Sequence, residues 1–94
     1  MPAVDPNAHD LHGAHAASIR HRTVVLVSER CACFHCERTF LPGDIRRWTD
    51  HDDRGVGQTA LCPYCGIDSV LGSASGYAVT PAFLAAMRDH WFRA

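Results

Sequence analysis

Lysine is absent from this chain. All nine basic residues are arginine, and against ten acids they leave a net charge of −1. The clear basic excess of a domain that lives on nucleic-acid phosphates is therefore missing. The missing lysine reads as codon bias in a GC-rich genome, because no physical demand acts on a whole surface at once. Arg20, Arg22, Arg30, Arg38, Arg46 and Arg47 fall in the first half, but Asp50, Asp52 and Asp53 cancel much of their field. A mixed, solvated surface is the reading preferred. Also missing is any apolar run near the roughly 18 residues of a membrane span, and no basic-then-apolar signal opens the chain, so a cytoplasmic location with no membrane partner is expected. An even cysteine count is missing too. Five cysteines fit a disulfide framework poorly, and a reducing cytosol leaves thiols free to bind metal.

What is present begins with size. A chain of 94 residues with 47% apolar content is expected to fold as one domain. An apolar core alone gives little margin at this length, and small domains commonly add a metal. Residues 1–22 carry His9, His12, His15 and His21 with weak apolar periodicity, and read as a flexible tail or a short frayed helix; residues 23–94 read as a single zinc-binding domain. Three of those histidines recur at spacing three, which suggests a second metal site, although small polar tails carry histidines with no fixed role.

Thr23–Ser28, "TVVLVS", is short, apolar and β-branched, which predicts a buried strand. "LPGDI" (41–45) predicts a turn. Ile45–Thr49 and Gln58–Leu61 predict the two arms of a hairpin, with the polar "DHDDRGVG" at its tip. Ile67, Val70 and Leu71 stand at helical spacing that Gly72 interrupts. Thr80-Pro81 marks a helix start, with threonine as N-cap and proline at the first helical position. From there Phe83, Leu84, Met87 and Trp91 form one apolar stripe. The stripe is expected to cover the strands and meet Val24, Val25, Leu26, Ile45 and Trp48.

Two Cys-x-x-Cys pairs, Cys33 with Cys36 and Cys62 with Cys65, flank the expected hairpin. A two-residue gap lets one tight turn aim both sulfurs at a single ion, and two such pairs predict one structural Zn2+ with four thiolate ligands. In "CPYCG", Pro63 stiffens the loop and Gly66 is free to take the left-handed conformation that turns amide N–H groups toward a thiolate. "CFHCE" has Glu37 in place of that glycine. His35 is expected to point away from the ion. Cys31, poorly spaced for chelation, reads as a spare small residue, with a substitute ligand or reactive thiol as alternatives.

The five residues "CPYCG" (62–66) resemble the knuckle of zinc ribbons and rubredoxin-like sites. The resemblance implies a small α+β fold: a zinc-ribbon-like, or treble-clef-like, β-hairpin finger with a packed C-terminal helix. A treble clef starts a long helix at the second pair, which Gly72 disfavours. Residues 57–92 with "CFHC" also resemble a group of small, uncharacterised bacterial cytoplasmic proteins. That likeness implies a self-standing cytosolic finger and carries no activity with it.

Three functions compete. A non-catalytic, zinc-stabilised binding module would present Arg46, Arg47, Trp48 and Tyr64 to a partner, since arginine and aromatic side chains dominate hot spots. The near-neutral charge favours a protein partner over nucleic acid. Alternatively, Asp50-His51 between two cysteine pairs resembles a degenerate HNH-type endonuclease. His51 would be its general base, and Asp50, Asp52 and Asp53 would hold a hydrolytic cation. That class expects an asparagine and a second histidine, which the interval lacks. A small regulator or toxin-neutralising partner, its N-terminus folding on binding, is the third reading.

Overall fold

A computed structural model describes residues 10–92. Its centre is a short strand of alternating small residues, β1 (Cys31–Cys33), in which successive side chains face opposite ways. β1 pairs antiparallel with β2 (Thr39–Phe40) on one edge and with β5 (Val70–Gly72) on the other. Cys31 lies opposite both Phe40 and Gly72, and Cys33 opposite Val70. The expected hairpin forms from β3 (Trp48–His51) and β4 (Gly57–Ala60), with Trp48 opposite Ala60 and His51 opposite Gly57. A one-turn 3₁₀ helix at Pro42–Asp44 occupies the expected turn. The result is a small α+β fold with antiparallel sheets and a C-terminal helix.

The two faces of the three-stranded sheet open onto separate cores. On one side Cys31, Cys33 and Val70 join Val25, Phe40, Ile45, Ala60 and Cys62. On the other Ala32 and Leu71 join Phe34, Ala14 and the helix α3 (Pro81–Trp91) through Phe83, Leu84 and Met87. α3 starts as its sequence indicates: the Thr80 side chain accepts the Phe83 N–H, and Pro81 follows the cap. Its stripe, however, does not meet Val25, Ile45 and Trp48, which sit in the opposite core. The β-sheet lies between them.

Two segments differ from their sequence-based expectation. Arg22–Leu26 is a helical turn, α2, rather than a strand. Both edges of β1 are already taken by β2 and β5, and only Val25 of the β-branched run is fully buried, while Leu26 and Val27 are exposed. Arg22 anchors the turn, donating to the Gly57 carbonyl at 2.9 Å and stacking its guanidinium 4.6 Å from the Trp48 ring centre. The Ser28 hydroxyl closes the other end on the Val24 carbonyl at 2.8 Å. Val70–Leu71, at helical spacing by sequence, is drawn into β5 by pairing with β1.

Within the stretch read as a tail, Leu11–Ala16 forms a short helix, α1, capped by the Asp10 carboxylate. It docks on α3: Ala14 is fully buried, the Trp91 indole N–H donates to the Leu11 carbonyl, and the Tyr77 hydroxyl donates to Asp10. Single apolar residues spaced for one helical turn are too few to signal such docking in sequence. His9 lies outside the described residues. No helix among the described residues is long and apolar enough to cross a membrane.

Candidate metal centre

Two backbone turns of the same design carry the cysteine pairs. In the first, the Cys33 N–H donates to the Arg38 carbonyl and the Glu37 N–H to the Cys33 carbonyl. In the second, the Cys62 N–H donates to Ile67 and the Gly66 N–H to Cys62. Glu37 and Gly66 therefore hold the same place, and both have positive φ, 63° and 78°. Glycine takes that conformation freely, whereas an L side chain costs roughly 1–2 kcal/mol there.

The turns face each other across the sheet end. The four sulfurs of Cys33, Cys36, Cys62 and Cys65 lie within 4.8 Å of one another. Cys33 Sγ is 3.6 Å from Cys65 Sγ, and Cys36 Sγ is 3.7 Å from Cys62 Sγ. A disulfide would bring two sulfurs to about 2.05 Å. Four sulfurs around an ion at about 2.3 Å would stand about 3.8 Å apart in a tetrahedron, close to what is found. The cluster is thus placed to hold a metal ion, and among the described residues no other group of three or more ligating side chains is.

Neighbouring donors suit thiolates. The His35 N–H points at Cys33 Sγ at 3.3 Å, and the N–H groups of Tyr64 and Cys65 at Cys62 Sγ at 3.4 and 3.5 Å. The Ser69 hydroxyl lies 3.0 Å from Cys33 Sγ. Burial pushes the Cys33 and Cys65 thiols up in the metal-free chain. Burial acts on Cys62 as well, but the N–H groups of Cys65 and Tyr64 together with the Cys36 and Cys65 side chains outweigh it, and its thiol is lowered. Ionising all four together needs a cation among them.

Cys31 is not part of this group. It is fully buried in β1, and burial pushes its thiol up to about 11, the profile of an inert core residue. His35 also contributes no ligand; its ring packs edge-on against Phe92, with centroids 4.6 Å apart.

The other expected site residues are scattered in role. Trp48 is half-buried against the metal-side core, beneath Arg22. Arg46 and Arg47 are exposed, and Arg47 reaches toward Gly66. Tyr64 is 55% exposed on the second turn, with the Arg38 guanidinium 4.9 Å from its ring centre. Arg38 and Arg88, neither singled out by sequence, line an open cleft of about 360 Å³ beside Cys36, Cys65, Tyr64 and His35. Arg38 occupies the place that Ile67 holds in the second turn, so aligning the two turns would have found it. Arg88 comes from α3, and no local signal marks it.

At the hairpin tip His51 is exposed and the acids are engaged in shaping the loop. Asp52 accepts from the N–H groups of Arg54 and Val56 and from Gln58, while Asp50 accepts from the Thr59 hydroxyl. Arg20 and Arg54 line the same surface as His51, Asp52 and Asp53. Comparison with protein families, with curated proteins and with solved structures finds no match for this chain.

Proposed function

We propose that this chain is a non-catalytic, zinc-stabilised binding module of the bacterial cytosol that presents a surface to a protein partner. The observation that carries this reading is the cluster of four sulfurs within 4.8 Å of one another, with two of the distances, 3.6 and 3.7 Å, near those of a tetrahedral site. Four thiolates saturate zinc and leave no position for a reacting water, so the ion holds the chain together and does no chemistry on a substrate. The second turn leads into β5 and not into a helix, which supports a ribbon-like finger over a treble clef. The surface offered is the exposed side of the two turns, where Tyr64, Arg38, Arg46 and Arg47 combine aromatic and guanidinium groups.

Tetrahedral sulfur sites take zinc or iron. Elemental analysis of freshly purified protein distinguishes them: one zinc per chain is expected, and iron or no metal overturns the assignment. Affinity capture with the zinc-loaded chain as bait then tests the module, with a chelator-treated bait as control. A partner recovered equally with both baits would count against it.

A further inference from the structure

A cavity of about 190 Å³ lies where the end of α1, the first cysteine turn and the end of α3 meet, lined by His15, Phe34, Asp68, Ser69, Trp91 and Phe92. Half of the lining is rings, with Ser18 and Ile19 completing the side toward the end of α1. Phe34 and Phe92 have centroids 5.7 Å apart, and His15 and Trp91 4.2 Å apart. Phe34 is held in the helix-side core, and the Trp91 indole is fixed by its bond to the Leu11 carbonyl at 3.3 Å. Phe92, in contrast, keeps 43% of its surface exposed.

The polar part of the wall, Asp68 and Ser69, is positioned by the cysteine cluster. Ser69 touches Cys33 Sγ through its hydroxyl and accepts the Phe34 N–H through its carbonyl at 3.0 Å. Asp68 precedes it, exposed, and its carboxylate has no hydrogen bond or ion pair among the described residues. Among the described residues no arginine lines the cavity. An unpaired surface carboxylate is ordinary alone. Beside aromatic faces, whose negative quadrupoles attract cations, it makes a site of one preference.

We propose that this cavity receives a primary ammonium group, the end of a lysine side chain on the protein partner. The chain has no lysine of its own with which to fill it. The inference rests on the reading of the protein as a partner-binding module, and it names the chemistry by which one partner residue is held.

The test titrates N-acetyl-lysine N-methylamide into the zinc-loaded full chain, following the Trp91 indole N–H and the Phe34 amide by NMR. The neutral norleucine analogue is titrated alongside. Saturable shifts are expected for the lysine compound, with the analogue about tenfold weaker. Asp68→Asn and Phe92→Leu, both at exposed positions, are each expected to weaken the lysine compound by about three- to tenfold while the rest of the spectrum holds. Equal binding of norleucine, no saturable shift, or full lysine affinity in Asp68→Asn overturns the ammonium site. Capture experiments separate this from the module reading. A partner held equally by wild type and Asp68→Asn sinks the site alone, and a chain that binds the lysine compound but captures nothing sinks the module alone.

Discussion

Cys31, Cys33 and Val70 look out from one face of the three-stranded sheet, Ala32 and Leu71 from the other, and the two faces are filled by different physics. The metal side gathers five thiols, of which Cys31, Cys33 and Cys62 are buried, and burial pushes the thiols of Cys31, Cys33 and Cys65 up. Its cysteine cluster is placed to hold a cation. The helix side holds alanine, leucine, phenylalanine and methionine with no charge to balance, and closes by removing apolar area from water. A strand of three residues cannot be stable by itself. β1 persists because each face is covered in its own way, so neither side is expected to survive loss of the other.

The largest effect should come from the metal side. Chelation, or Cys62→Ser, is expected to abolish cooperative unfolding, because structural zinc contributes about 10–16 kcal/mol in small fingers while whole domains hold only about 5–15. Circular dichroism with and without chelator checks this, and a persisting sharp melt in Cys62→Ser would break the comparison. Next comes the helix side. Leu84→Ala or Met87→Ala, at positions 1% and 0% exposed, is expected to cost about 2–5 kcal/mol in denaturant titrations with zinc saturating. Trp91 is only half-buried, so Trp91→Ala should cost less than either.

The joint between the halves titrates. His21 Nε2 accepts the Ala60 N–H at 3.0 Å while Nδ1 faces the Ala17 carbonyl at 2.9 Å, an arrangement that demands the neutral ring. Burial depresses its pKa below 6.5, although the Ala17 carbonyl works the other way. The unfolded chain therefore takes up the proton first. Stability is complete above about pH 6.5 and falls as pH drops toward the depressed folded value, by up to about 1.4 kcal/mol per pH unit. Acid also strips metal from thiolates, so zinc occupancy is followed in parallel. At constant occupancy, His21→Gln is expected to flatten the acid limb.

Smaller effects compare the two cysteine turns. Glu37→Gly relieves the 63° φ but gives up a solvent-exposed pair with Arg88 at 3.5 Å, for a net gain of about 0.5–1 kcal/mol. Gly66→Ala should lose about 1–2 kcal/mol at the matching place. Smallest of all, His51→Ala should leave stability within about 0.5 kcal/mol, and plasmid incubated with magnesium or manganese should stay intact with either protein. Cleavage that disappears in the variant would bring the endonuclease reading back.

What could be read along the chain was whatever a few adjacent residues settle. Thr80-Pro81 starts α3 because a cap and a fixed φ act within one turn. Gly66 takes its left-handed place because the backbone there tolerates little else. "TVVLVS" misleads, since its β propensity is real but the central strand β1 is already paired on both edges, and of the run's β-branched residues only Val25 is fully buried. The docking of α1 escapes notice because it rests on Trp91 and Tyr77, 80 and 67 residues from their partners Leu11 and Asp10.

The sequence by itself determined the composition of the centre and its spacing: two Cys-x-x-Cys pairs, a hairpin between them, and an apolar stripe on the last helix. These are short-range matters of turn geometry, ligand chemistry and periodicity. Only the tertiary structure decided which face of β1 each group would serve. Cys31 and Cys33 are two residues apart with Ala32 between them, so alternation puts the two cysteines on one side and Ala32 on the other, but nothing local says which side meets the helix. That choice depends on the pairing of β5 with β1, across nearly forty residues, which turns Leu71 toward α3 and Val70 toward the sulfurs.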